Sequence, residues 1–242
     1  MQNYKLVLSY DGTDFHGWQR QPQKRTIQGL IEETLTKITQ KKISVIGAGR
    51  TDAGVHAQSQ VANFKANISL TEEELLRALN SLLSGDIKVI SLEKVDLNFH
   101  ARKMAKSKIY LYRIFNSPDI PPFLLRYVLY WRSPLNVKMM QKAALLFERK
   151  ADFTAFSSNR LLNPVRKVTF SRIEKKREEI IYTIEANGFL RYMVRTIVGT
   201  LLEVGKGKLL PEDIEDIFEK KRRSQAGPTA PAKGLCLMKV IY

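Results

Sequence analysis

The sequence predicts an α+β fold made of two β-α-β-β-α-β units in tandem, on three observations. Short runs rich in β-branched and aromatic residues recur along the whole chain. Amphipathic stretches with apolar residues at i, i+3 and i+4 fall between them. The order of these segments in the first half returns in the second, although the halves share little sequence.

Tyr4 to Tyr10 reads as a buried first strand, ended by Asp11-Gly12. Residues 11–22 form an irregular loop rich in aromatic, amide and basic groups. Thr26 caps a helix that carries Ile27, Leu30, Ile31, Leu35 and Ile38 on one face. A strand over residues 42–46, a glycine-rich loop and a strand over residues 57–66 follow. Thr71 and Glu74 make a capping box ahead of a helix with Leu75, Leu76, Leu79, Leu82 and Leu83. Ser84-Gly85-Asp86 stops it, and Ile87 to Val95 is a strand.

The second half opens with a strand over residues 108–115. A proline-broken connection, residues 118–134, contains Trp131. A helix over residues 137–147 follows, then strands over residues 168–173 and 180–185 joined by a charged hairpin, Glu174 to Glu179. Residues 190–204 read as the most apolar helix, ended by Gly205 and Gly207. Pro211 starts another helix with Ile214, Ile217 and Phe218. Gly227 to Gly234 is a connector, and Leu235 to Tyr242 is the last strand. Units of this order form ferredoxin-like layers, with helices on one face of an antiparallel sheet. A basic, polar stretch within residues 96–107 places the boundary, giving subdomains 1–103 and 104–242.

A chain of 242 residues buries most of its unfolded surface and folds without a disulfide or metal. One cysteine, Cys236, excludes an internal disulfide framework and points to a reducing compartment. No secretory h-region opens the chain and no apolar run approaches membrane-spanning length, so the expected address is the cytoplasm. Forty Lys and Arg against 24 Asp and Glu give a net charge of +16, the footprint of a protein that meets a polyanion. Nucleic acid is the leading partner. Three histidines and one cysteine exclude a zinc finger or a zinc deaminase site.

One acid stands out. Asp52 lies in Ile46-Gly-Ala-Gly-Arg-Thr-Asp-Ala-Gly-Val-His-Ala57, among small residues and two positions after Arg50. On spacing alone this is a glycine-rich turn with a solvated acid. The functional reading is a loop that lets a ligand approach a carboxylate closely. It is not a dinucleotide fingerprint, because the third glycine is displaced to Gly54 and a strand follows where a helix should start. No phosphate-binding GxxxxGK[ST] occurs. Asp11, Asp14 and Asp52 match no defensible metal-ligand spacing. Arg195 lies on the apolar helix, either snorkelling to solvent or held at the core's edge to pair with a carboxylate. Tyr110 and Tyr112 share a strand face, either as core packing or with one ring free to stack on a base.

Several stretches together resemble the tRNA pseudouridine synthase A family. Gly49-Arg-Thr-Asp-Ala-Gly-Val-His-Ala57 resembles its signature loop, and Tyr10 to Pro22 its amino-terminal loop. Lys108-Ile-Tyr-Leu-Tyr112 resembles the motif whose active-site tyrosine falls on Tyr110. Phe189 to Arg195 resembles the carboxy-terminal motif whose basic residue falls on Arg195, and Ala230 to Leu235 the closing segment. Cys236 stands where the family pattern leads one to expect an aromatic. The resemblance implies a pseudouridine synthase fold with two ferredoxin-like subdomains flanking a basic cleft. It implies an isomerase that converts uridine to pseudouridine in the anticodon stem-loop of tRNA, at positions 38, 39 and 40, as a homodimer without cofactor or metal. Asp52 then acts as nucleophile or electrostatic partner, and Tyr110 stacks on the uracil. Arg195 keeps the acid ionised, and Arg50 holds the flipped nucleotide's phosphate or the vacated stem. Two other classes fit the residues alone. A non-catalytic RNA-binding module has no use for Asp52, and a metal-dependent nuclease stops in EDTA.

Overall fold

The computed structural model describes residues 1–158 and 162–242. The chain forms two compact units, one of Met1–Lys106 with Cys236–Tyr242 and one of Ser107–Leu235.

In the first unit the elements are β1 (Gln2–Tyr10), α1 (Ile27–Thr39), β2 (Ile46–Gly47), β3 (His56–Ala66), α2 (Glu72–Leu82) and β4 (Ile87–Val95). β1 lies between β4 and β3, antiparallel to both. Its alternation puts Tyr4, Leu6, Leu8 and Tyr10 on one buried face, as a period of two requires. Tyr4 stacks on its register partner Phe64, with ring centroids 5.2 Å apart. Ile27, Ile31 and Leu35 of α1 and Leu75 and Leu79 of α2 are fully inaccessible and supply the helical side of the core. Each such side chain contributes roughly 1.5–3 kcal/mol of burial. Thr26 caps α1 through Gly29 N–H, and the Thr71–Glu74 capping box of α2 has both of its hydrogen bonds.

In the second unit the elements are β5 (Ser107–Asn116), β6 (Leu129–Trp131), α3 (Val137–Leu145), β7 (Lys150–Asp152), β8 (Val165–Lys176), β9 (Glu179–Ala186), α4 (Met193–Gly205) and α5 (Asp213–Lys220). The strand order is β5-β9-β8-β7, antiparallel throughout, and β6 adds to β5 in parallel. α4 is buried on nearly every side, from Met193 to Gly205. Phe147, Phe153, Phe156 and Phe218 form an aromatic cluster with centroids 5.0–6.0 Å apart.

The structure differs from the sequence expectations at five points. The last strand, β10 (Leu235–Ile241), joins the first unit and pairs in parallel with β3, so the unit boundary is not a single cut at 103/104. The strand expected over 42–46 shrinks to Ile46–Gly47, because the Val45 N–H is taken at 2.9 Å by the buried Glu32 carboxylate instead of a strand carbonyl. The helix expected from residue 190 starts at Met193, because Tyr192 adopts left-handed backbone at φ 63°. Arg191 therefore precedes the helix. The charged hairpin is strand nearly to its tip, where Arg177 turns at φ 54°. Trp131 sits in β6 rather than in a loop. Among the described residues, no helix is long and apolar enough to cross a membrane.

Candidate active site

The Asp52 loop is built by the edge of the first unit's sheet. Ile46 and Gly47 pair with Asn63 and Ala62 of β3, and the Ala48 N–H reaches the Val61 carbonyl at 2.7 Å. The chain then leaves the sheet and returns at His56. Thr51, the residue before the acid, is fixed twice. Its hydroxyl lies 2.9 Å from the Tyr10 hydroxyl, and its carbonyl accepts the Trp18 N–H at 3.1 Å. Gln60 closes the set, donating to the Gly49 carbonyl at 3.0 Å. Burial pushes the Tyr10 phenol far above its usual range, so it serves here as a neutral hydrogen-bonding group. After the acid, the Val55 N–H returns to the Asp52 carbonyl at 3.2 Å, and Gly54 supplies the left-handed turn at φ 78°. Asp52 thus stands half-buried at a turn whose backbone is held on both sides, next to an exposed Ala53.

The loop over residues 11–22, which the sequence marks as irregular and rich in aromatic, amide and basic groups, is the other wall. Gly17, at φ 86°, comes so close that an added Cβ would lie 2.7 Å from the Thr51 carbonyl. Gly47 lies under the Trp18 indole, where a Cβ would meet the ring at 2.5 Å. The Gly12 N–H donates to His56 Nδ1 at 3.1 Å, and Asp11 Oδ1 lies 3.1 Å from the same nitrogen. Asp11 also accepts the Thr13 N–H and hydroxyl, at 2.9 and 2.6 Å. Asp14 is exposed. Among the described residues, no group of three or more His, Cys, Asp or Glu is placed to hold a metal. The Arg50 side chain is exposed and makes no ion pair among the described residues.

Tyr110 and Arg195 belong to the second unit. Tyr110 sits on β5 opposite Ile184 of β9, with Phe189 edge-on to its ring at 5.1 Å and 88°. Tyr112, two residues on, is fully buried and its hydroxyl donates to the Pro231 carbonyl at 2.8 Å, so it is a core residue. Arg195 does not simply run out to solvent. Its Nε donates to the Ala230 carbonyl at 2.7 Å, and its guanidinium lies 5.0 Å from the Tyr192 ring. Arg191 sits 4.9 Å from the same ring. The left-handed Tyr192 that delays α4 thus carries a ring with two guanidiniums beside it, an arrangement with no signature in residue spacing.

The family model described as tRNA pseudouridine synthase matches residues 6–102 and 143–242. A protein of Thermodesulfovibrio yellowstonii named tRNA pseudouridine synthase A is 45% identical over 254 residues, covering 100% of both chains. Proteins of the same name from Thermoanaerobacter sp. and Acetivibrio thermocellus are 45% and 44% identical, again over 100% of both chains.

Proposed function

The chain belongs to the tRNA pseudouridine synthase family, and we propose that it isomerises uridines of the anticodon stem-loop with Asp52 as its catalytic group. The general activity, an isomerase acting on tRNA, follows from family membership. The finer assignment rests on one observation above all: the backbone on either side of Asp52 is immobilised, by Tyr10 and Trp18 before it and by the Gly54 turn after it. A group that forms a bond must be held at a fixed place, and most of its catalytic value comes from that placement.

The reaction breaks the N1–C1′ bond, turns the uracil and joins C5 to C1′. The proton leaves C5 and N1 ends protonated, so nothing is gained or lost. A base in a stem is out of reach, and the nucleotide must first be flipped out. In this reading the ionised Asp52 attacks ribose C1′ or uracil C6. Tyr110 stacks on the uracil, Arg195 keeps the acid ionised, and exposed Arg50 takes a phosphate of the flipped nucleotide or the vacated stem. No step calls for a metal or cofactor. We further propose that the enzyme works as a homodimer in the cytoplasm, where its tRNA substrate is found.

Asp52→Ala tests the assignment. It abolishes pseudouridine formation on an unmodified tRNA transcript while Kd for that tRNA changes by less than about threefold, because the backbone grip of the cationic side chains is retained. Measurable turnover by that variant would remove Asp52 from the chemistry.

A further inference from the structure

In the second unit, outside the residues assigned to the reaction, lies a polar cavity of about 400 Å³. One wall is Thr154, Ser157 and Ser158, and the other is Lys221, Arg222 and Arg223. The three cations differ in what balances them. Lys221 Nζ lies 3.0 Å from the Asp152 carboxylate, so its charge is matched. Arg223 is half-buried and held by neutral acceptors: the Ala226 carbonyl at 3.3 Å, the Gly227 carbonyl at 2.9 Å and the Thr229 hydroxyl at 3.0 Å. Burial depresses its pKa. Arg222 is exposed. Among the described residues, no carboxylate comes within ion-pair distance of Arg222 or Arg223. A partly desolvated guanidinium fixed without a counter-ion is costly unless an anion joins it. The fixed Arg223 guanidinium and the exposed Arg222 guanidinium, beside hydroxyl groups, form a donor set suited to a phosphate group.

The cavity is also mechanically tied to Arg195. Arg223 holds the start of the segment Ala226–Ala230, and the Gly227 N–H is anchored on the Thr200 hydroxyl at 2.9 Å. The far end of that segment, the Ala230 carbonyl, receives Arg195 Nε. On the opposite wall, the Ser158 N–H reaches the Arg191 carbonyl at 3.3 Å. A group bound in the cavity is therefore set at a fixed distance from Arg195 through one short, strapped piece of chain.

We propose that this cavity is a phosphate subsite for the RNA substrate, taking a backbone phosphodiester at a distance from the reacting nucleotide and so setting the register of the strand. The proposal rests on the tRNA-modifying reading above. Its test is Arg222→Ala, since the exposed Arg222 side chain makes no hydrogen bond or ion pair among the described residues. On an unmodified tRNA transcript, KM rises roughly fivefold while kcat stays within about twofold, the size of one exposed charged contact. The slope of log Kd against log salt becomes shallower by about one. Arg222→Lys recovers most of the loss. An unchanged KM and an unchanged salt slope overturn the subsite. Inorganic phosphate separates the two sources of the ligand. If phosphate inhibits the wild type and loses that effect in Arg222→Ala while the variant's tRNA KM is unchanged, the cavity is a free-anion site and the RNA assignment is overturned. A wild-type chain that forms no pseudouridine refutes the functional reading instead, and the salt slope of tRNA binding still decides the subsite.

Discussion

Asp52 owes its position to residues that do no chemistry. Tyr10 is 4% exposed and its hydroxyl sits between Thr51 and Gln60, at 2.9 and 3.5 Å. Tyr10→Phe keeps the ring but leaves the buried Thr51 hydroxyl without this partner. The loss of stability is about 1–3 kcal/mol, the cost of an unsatisfied buried polar group. The larger effect falls on turnover: kcat decreases at least tenfold while tRNA affinity holds, because the turn carrying Asp52 loosens. Steady-state kinetics beside a urea melt check both parts, and a variant with full kcat shows that the Tyr10–Thr51 contact does not position the acid. At this scale the sequence was legible for the acid and its glycines, since only small residues suit a tight approach. It was silent on the buttress. Tyr10, Trp18, Thr51 and Gln60 come from β1, the loop over residues 11–22, the acid's own loop and β3, and local periodicity carries no information on such a meeting.

Among the elements, α4 sets the tightest condition. A Cβ on Gly199 would lie 1.6 Å from the Pro228 carbonyl, which is backbone and cannot rotate away. Gly199→Ala must therefore push the connector off the helix. Overpacking of this kind costs about 1–3 kcal/mol, or roughly 2–12 °C in Tm for a chain of this size. The shift also draws the Ala230 carbonyl from Arg195 Nε, 2.7 Å away in the intact structure. Thermal melts and activity on tRNA should both fall, and activity should stay low at temperatures where the variant is fully folded. Retention of full activity by the folded variant would show that the connector does not place Arg195. Elements with local signals, such as the Thr71–Glu74 capping box and the apolar stripe of α1, were legible. The start of α4 was not, because residues 190–192 continue the apolar pattern and only the φ of Tyr192 breaks the helix. Apolar spacing also implied a full strand at 42–46, where Glu32 of the preceding helix α1 competes for the backbone.

At the scale of the whole molecule, the least legible feature is the destination of β10. Read in order, Leu235 to Tyr242 completes a second β-α-β-β-α-β series. In space it pairs Cys236 with His56 and Leu237 with Ala57, at the point where β3 leaves the Asp52 loop. Strand patterning marks a strand without naming its neighbour, and nothing local distinguishes a partner in the second unit from one at the other end of the chain. The pairing makes a specific demand. Leu237 is fully buried, the Lys106 N–H reaches the Ile241 carbonyl at 2.7 Å, and the Tyr242 hydroxyl donates to the Ala101 carbonyl at 2.7 Å. Deleting residues 236–242 removes all three, and the burial of Leu237 alone is worth roughly 1.5–3 kcal/mol. Amide hydrogen exchange should then show protection lost first in residues 1–106, with β8, β9 and α4 still protected, because those elements keep the β8–β9 ladder and their own core. Pseudouridine formation should be lost with it, since His56 and the Asp52 loop lose the strand beside them. Protection that fails first within residues 107–235 would place β10 energetically with the second unit, and the damage would then have to reach Asp52 by another route.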